Sequence, residues 1–117
     1  MKEKIGILSR VSSKGQENDG TSIEYQIKMG NKISKKIGMK PISYNEGGVS
    51  SWNSNVNTRP ILVKMLTEIE GKRLNNIWVW NLDRLGRHSE SWYTILKILI
   101  GWKVNVYVGE STKPYNF

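Results

Sequence analysis

The run Ile77-Trp78-Val79-Trp80 constrains this chain more than any other feature. Four successive apolar residues leave no polar face. A strand with that pattern is covered on both sides, as strands of parallel sheets are. Helices are then needed on both faces, and the remaining sequence supplies them in alternation with strands. Ile5 to Leu8 begins a short apolar strand with β-branched character. Residues 10–21, rich in Ser, Gly, Asn and Asp, read as a loop. A helix is expected from about Ser22 to Ile37. Ile23, Ile27, Ile33 and Ile37 recur on one side at helical spacing, and Lys28, Lys32, Lys35 and Lys36 fall opposite as a solvated face. Gly38 ends it. A second strand, about Pro41 to Tyr44, leads into a long polar loop, Asn45 to Thr58. A loop of that length in a small domain is commonly functional or mobile. Pro60 suits the first turn of a helix running to about Glu70 and stopped by Gly71. Ser89 can cap a third helix, about 90–100, before Gly101. Val104, Val106 and Val108 make a last, alternating strand. The order β-α-β-α-β-α-β implies a three-layer α/β domain with a mostly parallel sheet and helices on both faces.

The length of 117 residues suits one compact domain spanning 1–117. No apolar run reaches the length of a membrane span, so no membrane partner is expected. The opening MKEKIGILSR makes a poor signal peptide, because its apolar stretch is brief and broken by Arg10. Cysteine is absent, so disulfides and thiolate metal sites are excluded, and a reducing cytoplasm is the expected location. The lone His88 argues against a histidine-built metal centre and against a Ser-His-Asp triad. Neither a GxxxxGK[ST] loop nor a GxGxxG after a strand occurs, which ranks an unrelated nucleotide-binding protein last. The formal charge of +8 favours a polyanionic partner, most simply nucleic acid, although charge alone also fits a merely basic surface.

In open parallel sheets, sites form at the carboxyl ends of the strands. Here the first strand delivers Arg10 to Gln16, the second delivers Glu46, and the third delivers Asp83, Arg84 and Arg87. Thirteen of the eighteen basic residues are lysine. Of the five arginines, Arg10, Arg59, Arg84 and Arg87 lie on or next to that edge, while Arg73 does not. The planar guanidinium grips phosphate with paired charged hydrogen bonds and stays protonated, so this bias points to phosphate. Ser12 follows Arg10 by two positions. A serine at a strand end is commonly a turn residue. Beside a guanidinium cluster, which eases alkoxide formation and binds developing charge, it becomes a candidate nucleophile. Asp83 is also a natural ion-pair partner for Arg84 or Arg87, and His88 a surface neighbour of Arg87. Trp52 either contacts DNA or packs its loop. Trp78 and Trp80 share a strand face and read as core. The third helix is so apolar that it marks a subunit contact or deep burial.

These segments resemble the serine site-specific recombinases, the resolvase and invertase family, and most closely its large phage-integrase branch. Ser9-Arg10-Val11-Ser12-Ser13-Lys14-Gly15-Gln16 is similar to the opening motif. Gly20-Thr21-Ser22-Ile23 with Gln26 resembles its continuation, Arg59-Pro60 after Glu46-Gly47 the second motif, and Leu82-Asp83-Arg84-Leu85-Gly86-Arg87 the third. The three lie in order over about residues 4–110. The resemblance implies a resolvase-like catalytic domain in a bacterial or mobile-element protein. Ser12 would attack a DNA phosphodiester and become joined to the 5′ phosphate. Arg10, Arg59, Arg84 and Arg87 would bind the scissile phosphate, with Gln16, Asp83 and Glu46 in support. Glu46 stands where the family usually has Asp. The implied partner is double-stranded DNA, bound by a homodimer that assembles to a tetramer in the complete protein. No metal and no nucleotide cofactor are implied. Family members continue into a long oligomerisation helix and a DNA-binding region, so the chain is expected to be truncated or naturally short. A non-cleaving relative that binds DNA or full-length subunits is the alternative.

Overall fold

The computed structural model describes residues 3–12, 22–49, 59–87 and 89–117, and of Ser12, Gly48 and Val49 only the backbone. Gln16, Trp52, His88 and the Gly20-Thr21 pair lie outside the described residues. Among the described residues four strands and three helices alternate: β1 (Lys4–Ser12), α1 (Ile23–Lys36), β2 (Lys40–Val49), α2 (Pro60–Glu70), β3 (Asn76–Val79), α3 (Trp92–Gly101) and β4 (Asn105–Val108), with a 3₁₀ turn at Leu82–Arg84. All strand pairs are parallel, in the order β2-β1-β3-β4.

That order fixes the layers. The step from β1 to β2 runs one way across the sheet, and the steps to β3 and β4 run the other way. Right-handed crossovers therefore put α1 on one face and α2 with α3 on the opposite face. The two cores follow. Ile5, Ile7, Trp78 and Tyr107 pack with Met29 and Ile33 of α1. Leu8, Ile77, Val79 and Val106 pack with Leu62, Met65, Leu66 and Ile69 of α2 and with Ile95 and Leu99 of α3. Every residue of β3 is buried, so the two-sided cover demanded by its unbroken apolar run is present. Trp78 is fully buried, whereas Trp80, just past the strand, is partly buried in the α1 layer with the Tyr25 ring edge-on at 5.4 Å. Among the described residues no helix is long and apolar enough to cross a membrane.

Several boundaries and faces differ from expectation. β1 continues to Ser12 and β2 to Val49, where loops were expected from Arg10 and Asn45. The two polar ends pair with each other, Val11 with Gly48 and Ser12 with Val49. Ladder hydrogen bonds use the backbone, so polar side chains do not prevent them.

The buried stripe of α1 is Gln26, Met29, Gly30, Ile33 and Ser34, while Ile23, Ile27 and Ile37 are only partly buried. Gly30 sets this orientation. A Cβ there would lie 2.4 Å from Ile7 Cγ2 and 2.9 Å from Trp78 Cε3, so the helix approaches the sheet through its smallest residue. The four lysines opposite are exposed, as expected. Ser22 caps α1 by accepting the Tyr25 N–H at 3.1 Å, and Gly38 leaves it at φ 73°.

Ser89 does not cap α3. Its hydroxyl donates to the Gly86 carbonyl at 2.7 Å, and the helix begins three residues later. Gly101 lies within α3, and the chain turns at Lys103, φ 55°. α3 buries Ile95 and Leu99 but exposes Tyr93 and Ile100, so deep burial in this chain does not account for its apolar character.

The tight seat of Gly30 has a measurable consequence. Gly30→Ala overpacks the α1 face and is expected to destabilise the fold by about 1–3 kcal/mol, despite the better helix propensity of alanine. Urea denaturation checks this; an unchanged or higher midpoint would contradict the close packing.

Candidate active site

β1 is the switch point of the sheet, because its chain neighbour β2 lies on one side and β3 on the other. Crevices at the carboxyl ends of such strands are where ligands bind in open α/β sheets. Each element contributes one group there. β1 brings Arg10, and its backbone ends at Ser12. β2 brings Glu46 through a bulge: Ser9 pairs with Asn45, but Val11 pairs with Gly48, so Glu46 and Gly47 together stand opposite Arg10. Gly47 has φ 65°, a left-handed conformation that glycine adopts without strain, and its N–H is held by the Asn45 side-chain oxygen at 2.9 Å. Bulges re-aim side chains at strand ends, and this one turns Glu46 toward the α2 side.

Arg59, immediately before α2, receives that carboxylate. Its Nε donates to Glu46 Oε2 at 2.9 Å and its Nη2 donates to Glu46 Oε1, a two-pronged ion pair in which the side chains are 1% and 2% exposed. The same guanidinium donates to the carbonyls of Leu85 and Arg84, both at 2.8 Å. Arg59 thus fastens the loop after β3 to the start of α2. Gly86 permits the closure. At φ 104°, an added Cβ would lie 2.9 Å from Ser89 Oγ and 3.2 Å from Arg59 Nη1.

Arg10 is also buried, at 3% exposure. Its guanidinium lies 3.4 Å from the carbonyls of Asp83 and Arg84. Its backbone N–H and C=O both bond to the Gln26 side chain, each at 3.0 Å. The Arg10 pKa is lowered to about 10, chiefly by burial and next by the neighbouring Arg59, with Glu46 partly offsetting them and Arg84 adding to the lowering. Arg10 stays protonated at neutral pH but is held in a field that disfavours its charge. Arg84 is half-buried. At the rim, Arg87 and Asp83 form an exposed pair at 3.1 Å.

The structure therefore brings Arg10, Arg59, Arg84 and Glu46 together, with Arg87 and Asp83 paired outside them. Asp83 takes Arg87, of the two partners expected for it. Arg59 points its hydrogen bonds into the protein rather than outward. Sequence reasoning assigned no role to Gln26 or to the Arg84 and Leu85 carbonyls. Gln26 could have been flagged as a polar residue in register with the buried stripe of α1. Main-chain acceptors leave no residue-type signal.

Two stability measurements follow from these environments. Glu46→Gln leaves the Arg59 cation buried without its partner, and is expected to cost about 3–5 kcal/mol, most of it recovered when Arg59→Met is added. Equilibrium denaturation of both variants tests this. Arg10→Met removes a charge that burial disfavours, and is expected to raise the melting temperature by a few degrees. A lower melting temperature would mean that Arg10 stabilises the fold.

The profile described as "Resolvase, N terminal domain" matches residues 5–116. Among solved structures, the N-terminal catalytic domain of TP901-1 integrase superposes with a TM-score of 0.70 at 28% identity, covering 89% of this chain and 76% of that one. The C-terminal catalytic domain of ISC1926 TnpA, an IS607-like serine recombinase, superposes with a TM-score of 0.69 at 24% identity, covering 90% and 68%, and shares the fold. No curated protein matches the chain. A family match over almost the whole chain, on a sheet whose switch point gathers Arg10, Arg59 and Arg84, places this protein in the resolvase family as a serine recombinase catalytic domain.

Proposed function

We propose that this chain is the DNA-cleaving domain of a site-specific recombinase, with residues 1–117 acting as one catalytic unit. The observation that carries the reading is electrostatic. The charges of Arg10, Arg59 and Arg84 are coupled at the edge where β1 ends in Ser12, and among the described residues the carboxylate buried with them is Glu46. A buried excess of positive charge is unfavourable in the free protein and complementary to a phosphodiester, whose charge grows during substitution at phosphorus. Ser12 is the nucleophile. Its oxygen bonds to phosphorus as the bond to the 3′ oxygen breaks; the serine gives up its proton and the departing 3′ oxygen takes one up. The product is a 5′-phosphoserine and a free 3′ hydroxyl, so the bond energy is kept for resealing and no nucleotide is consumed.

Arg10, Arg84 and Arg87 contact the phosphate. Arg59, tied to Glu46 and to the loop carbonyls, adds charge from behind and holds the loop that carries Arg84 and Arg87. Asp83 keeps Arg87 at the rim until the phosphate competes for it, and Gln16 assists in placing Ser12. In the complete protein, dimers pair as a tetramer on two DNA duplexes and exchange their ends.

Covalent trapping tests the reading. The chain is incubated with a pool of duplexes of randomised sequence, adducts are recovered after denaturation, and peptide mass spectrometry locates the linkage. The expected result is DNA on Ser12, absent from Ser12→Ala and reduced at least about 100-fold in Arg10→Met, the scale of losing one charge-stabilising donor. DNA binding without any adduct would instead favour a non-cleaving binding module.

A further inference from the structure

Arg10 is a gap in an otherwise regular strand. The pairing of β1 with β3 runs Gly6 to Ile77, Ile7 to Trp78 and Leu8 to Val79, and stops there. The pairing with β2 passes from Ser9–Asn45 to Val11–Gly48, and the bulge skips Arg10. The register of both pairings thus passes over Arg10. Gln26 takes that place. Its Oε1 accepts the Arg10 N–H and its Nε2 donates to the Arg10 C=O, both at 3.0 Å and both buried. A primary amide offers one acceptor and a donor side by side, as a peptide group does, so the side chain completes the ladder that the strands leave open. Gln26 is fully buried in the second turn of α1, and its own N–H bonds to the carbonyl of the capping residue Ser22 at 3.0 Å. The clamp thus ties the capped start of α1 to the last residues of β1.

We infer that Gln26 is a positioning residue for phosphoryl transfer, setting the backbone of Arg10 and, two residues on, of Ser12. This rests on the recombinase reading above. The need for such a clamp is electrostatic. Burial and the neighbouring Arg59 both act against the Arg10 cation, which gains by moving toward water. The Gln26 amide holds its backbone at this position. The requirement is for a donor and an acceptor together, which Gln meets. Met fills similar volume with neither. A carboxylate accepts from the N–H but sets negative charge against the Arg10 carbonyl. A neutral carboxylic acid again offers one donor and one acceptor.

That chemistry supplies a test that packing alone would not pass. Wild type, Gln26→Met and Gln26→Glu are compared for adduct formation on the most enriched duplex of the trapping selection, at pH 8 and pH 6, below the melting temperature of each. Gln26→Met is expected to bind DNA within about threefold of wild type but to form adduct about 100-fold more slowly, the scale of a small misplacement of reacting groups. Gln26→Glu is expected to be equally slow at pH 8. Relative to wild type it recovers about 10-fold at pH 6, because burial raises the introduced carboxyl above its ordinary range and the protonated form restores the donor. Should Gln26→Met not fold, the pH ratio of Gln26→Glu decides alone. A wild-type adduct with Gln26→Met within about threefold of wild type, or with no relative gain for Gln26→Glu at low pH, overturns the clamp and leaves the recombinase reading standing. No wild-type adduct on Ser12 overturns that reading, and this assignment with it.

Discussion

The ion pair between Arg59 and Glu46 holds three parts of the chain that would otherwise be independent. Glu46 comes from the bulged end of β2, Arg59 from the start of α2, and the Arg84 and Leu85 carbonyls from the loop after β3. Breaking the pair would leave a cation buried without compensation, a far larger penalty than losing a surface salt bridge. The exposed pair of Arg73 with Glu68, at 2.7 Å, has no comparable leverage, because water screens it. Burial makes the Arg59–Glu46 contact a geometric requirement. The loop carrying Arg84 and Arg87 cannot shift without breaking the Arg59 bonds to the Arg84 and Leu85 carbonyls, and Gly86 is the residue whose missing side chain lets that loop close.

Arg10 sits differently. It is buried like Arg59, but its field is set by other cations as well as by one carboxylate, and its pKa is lowered to about 10. Its surroundings disfavour the cation that they enclose. Under the proposed function an incoming phosphate would relieve the repulsion, so that binding and local order would reinforce one another. The same logic explains why so much hydrogen bonding is directed at main chain here: the Gln26 amide for Arg10, and the carbonyls of residues 83–85 for the two guanidiniums. A repulsive cluster needs its supports built into the backbone.

The layered fold was legible in the sequence for reasons that can be named. Ile77-Trp78-Val79-Trp80 required cover on both faces, Pro60 and Gly71 bracketed α2, and the strand–helix alternation implied parallel pairing. Composition misled at the strand ends, where Arg10–Ser12 and Asn45–Val49 look like loop because they are polar, although their backbones pair. Isoleucine spacing misled on α1, because the tightest contact is made through Gly30, a residue that hydrophobic periodicity ignores. Ser89 had the chemistry of a cap and is used one turn earlier, on Gly86.

Which residue types would populate the site was determined by the sequence alone. Four of its five arginines stand at a strand end or a helix start, and Ser12 follows Arg10 by two positions. Their division of labour was decided by tertiary structure. Arg59 faces inward to a carboxylate, Arg10 is gripped through its backbone by Gln26, and Arg87 rests on Asp83 at the rim. The physical reason is that sequence specifies side chains, whereas the partners here include main-chain carbonyls, a bulge and a strand that ends early. Those exist only after the sheet has formed.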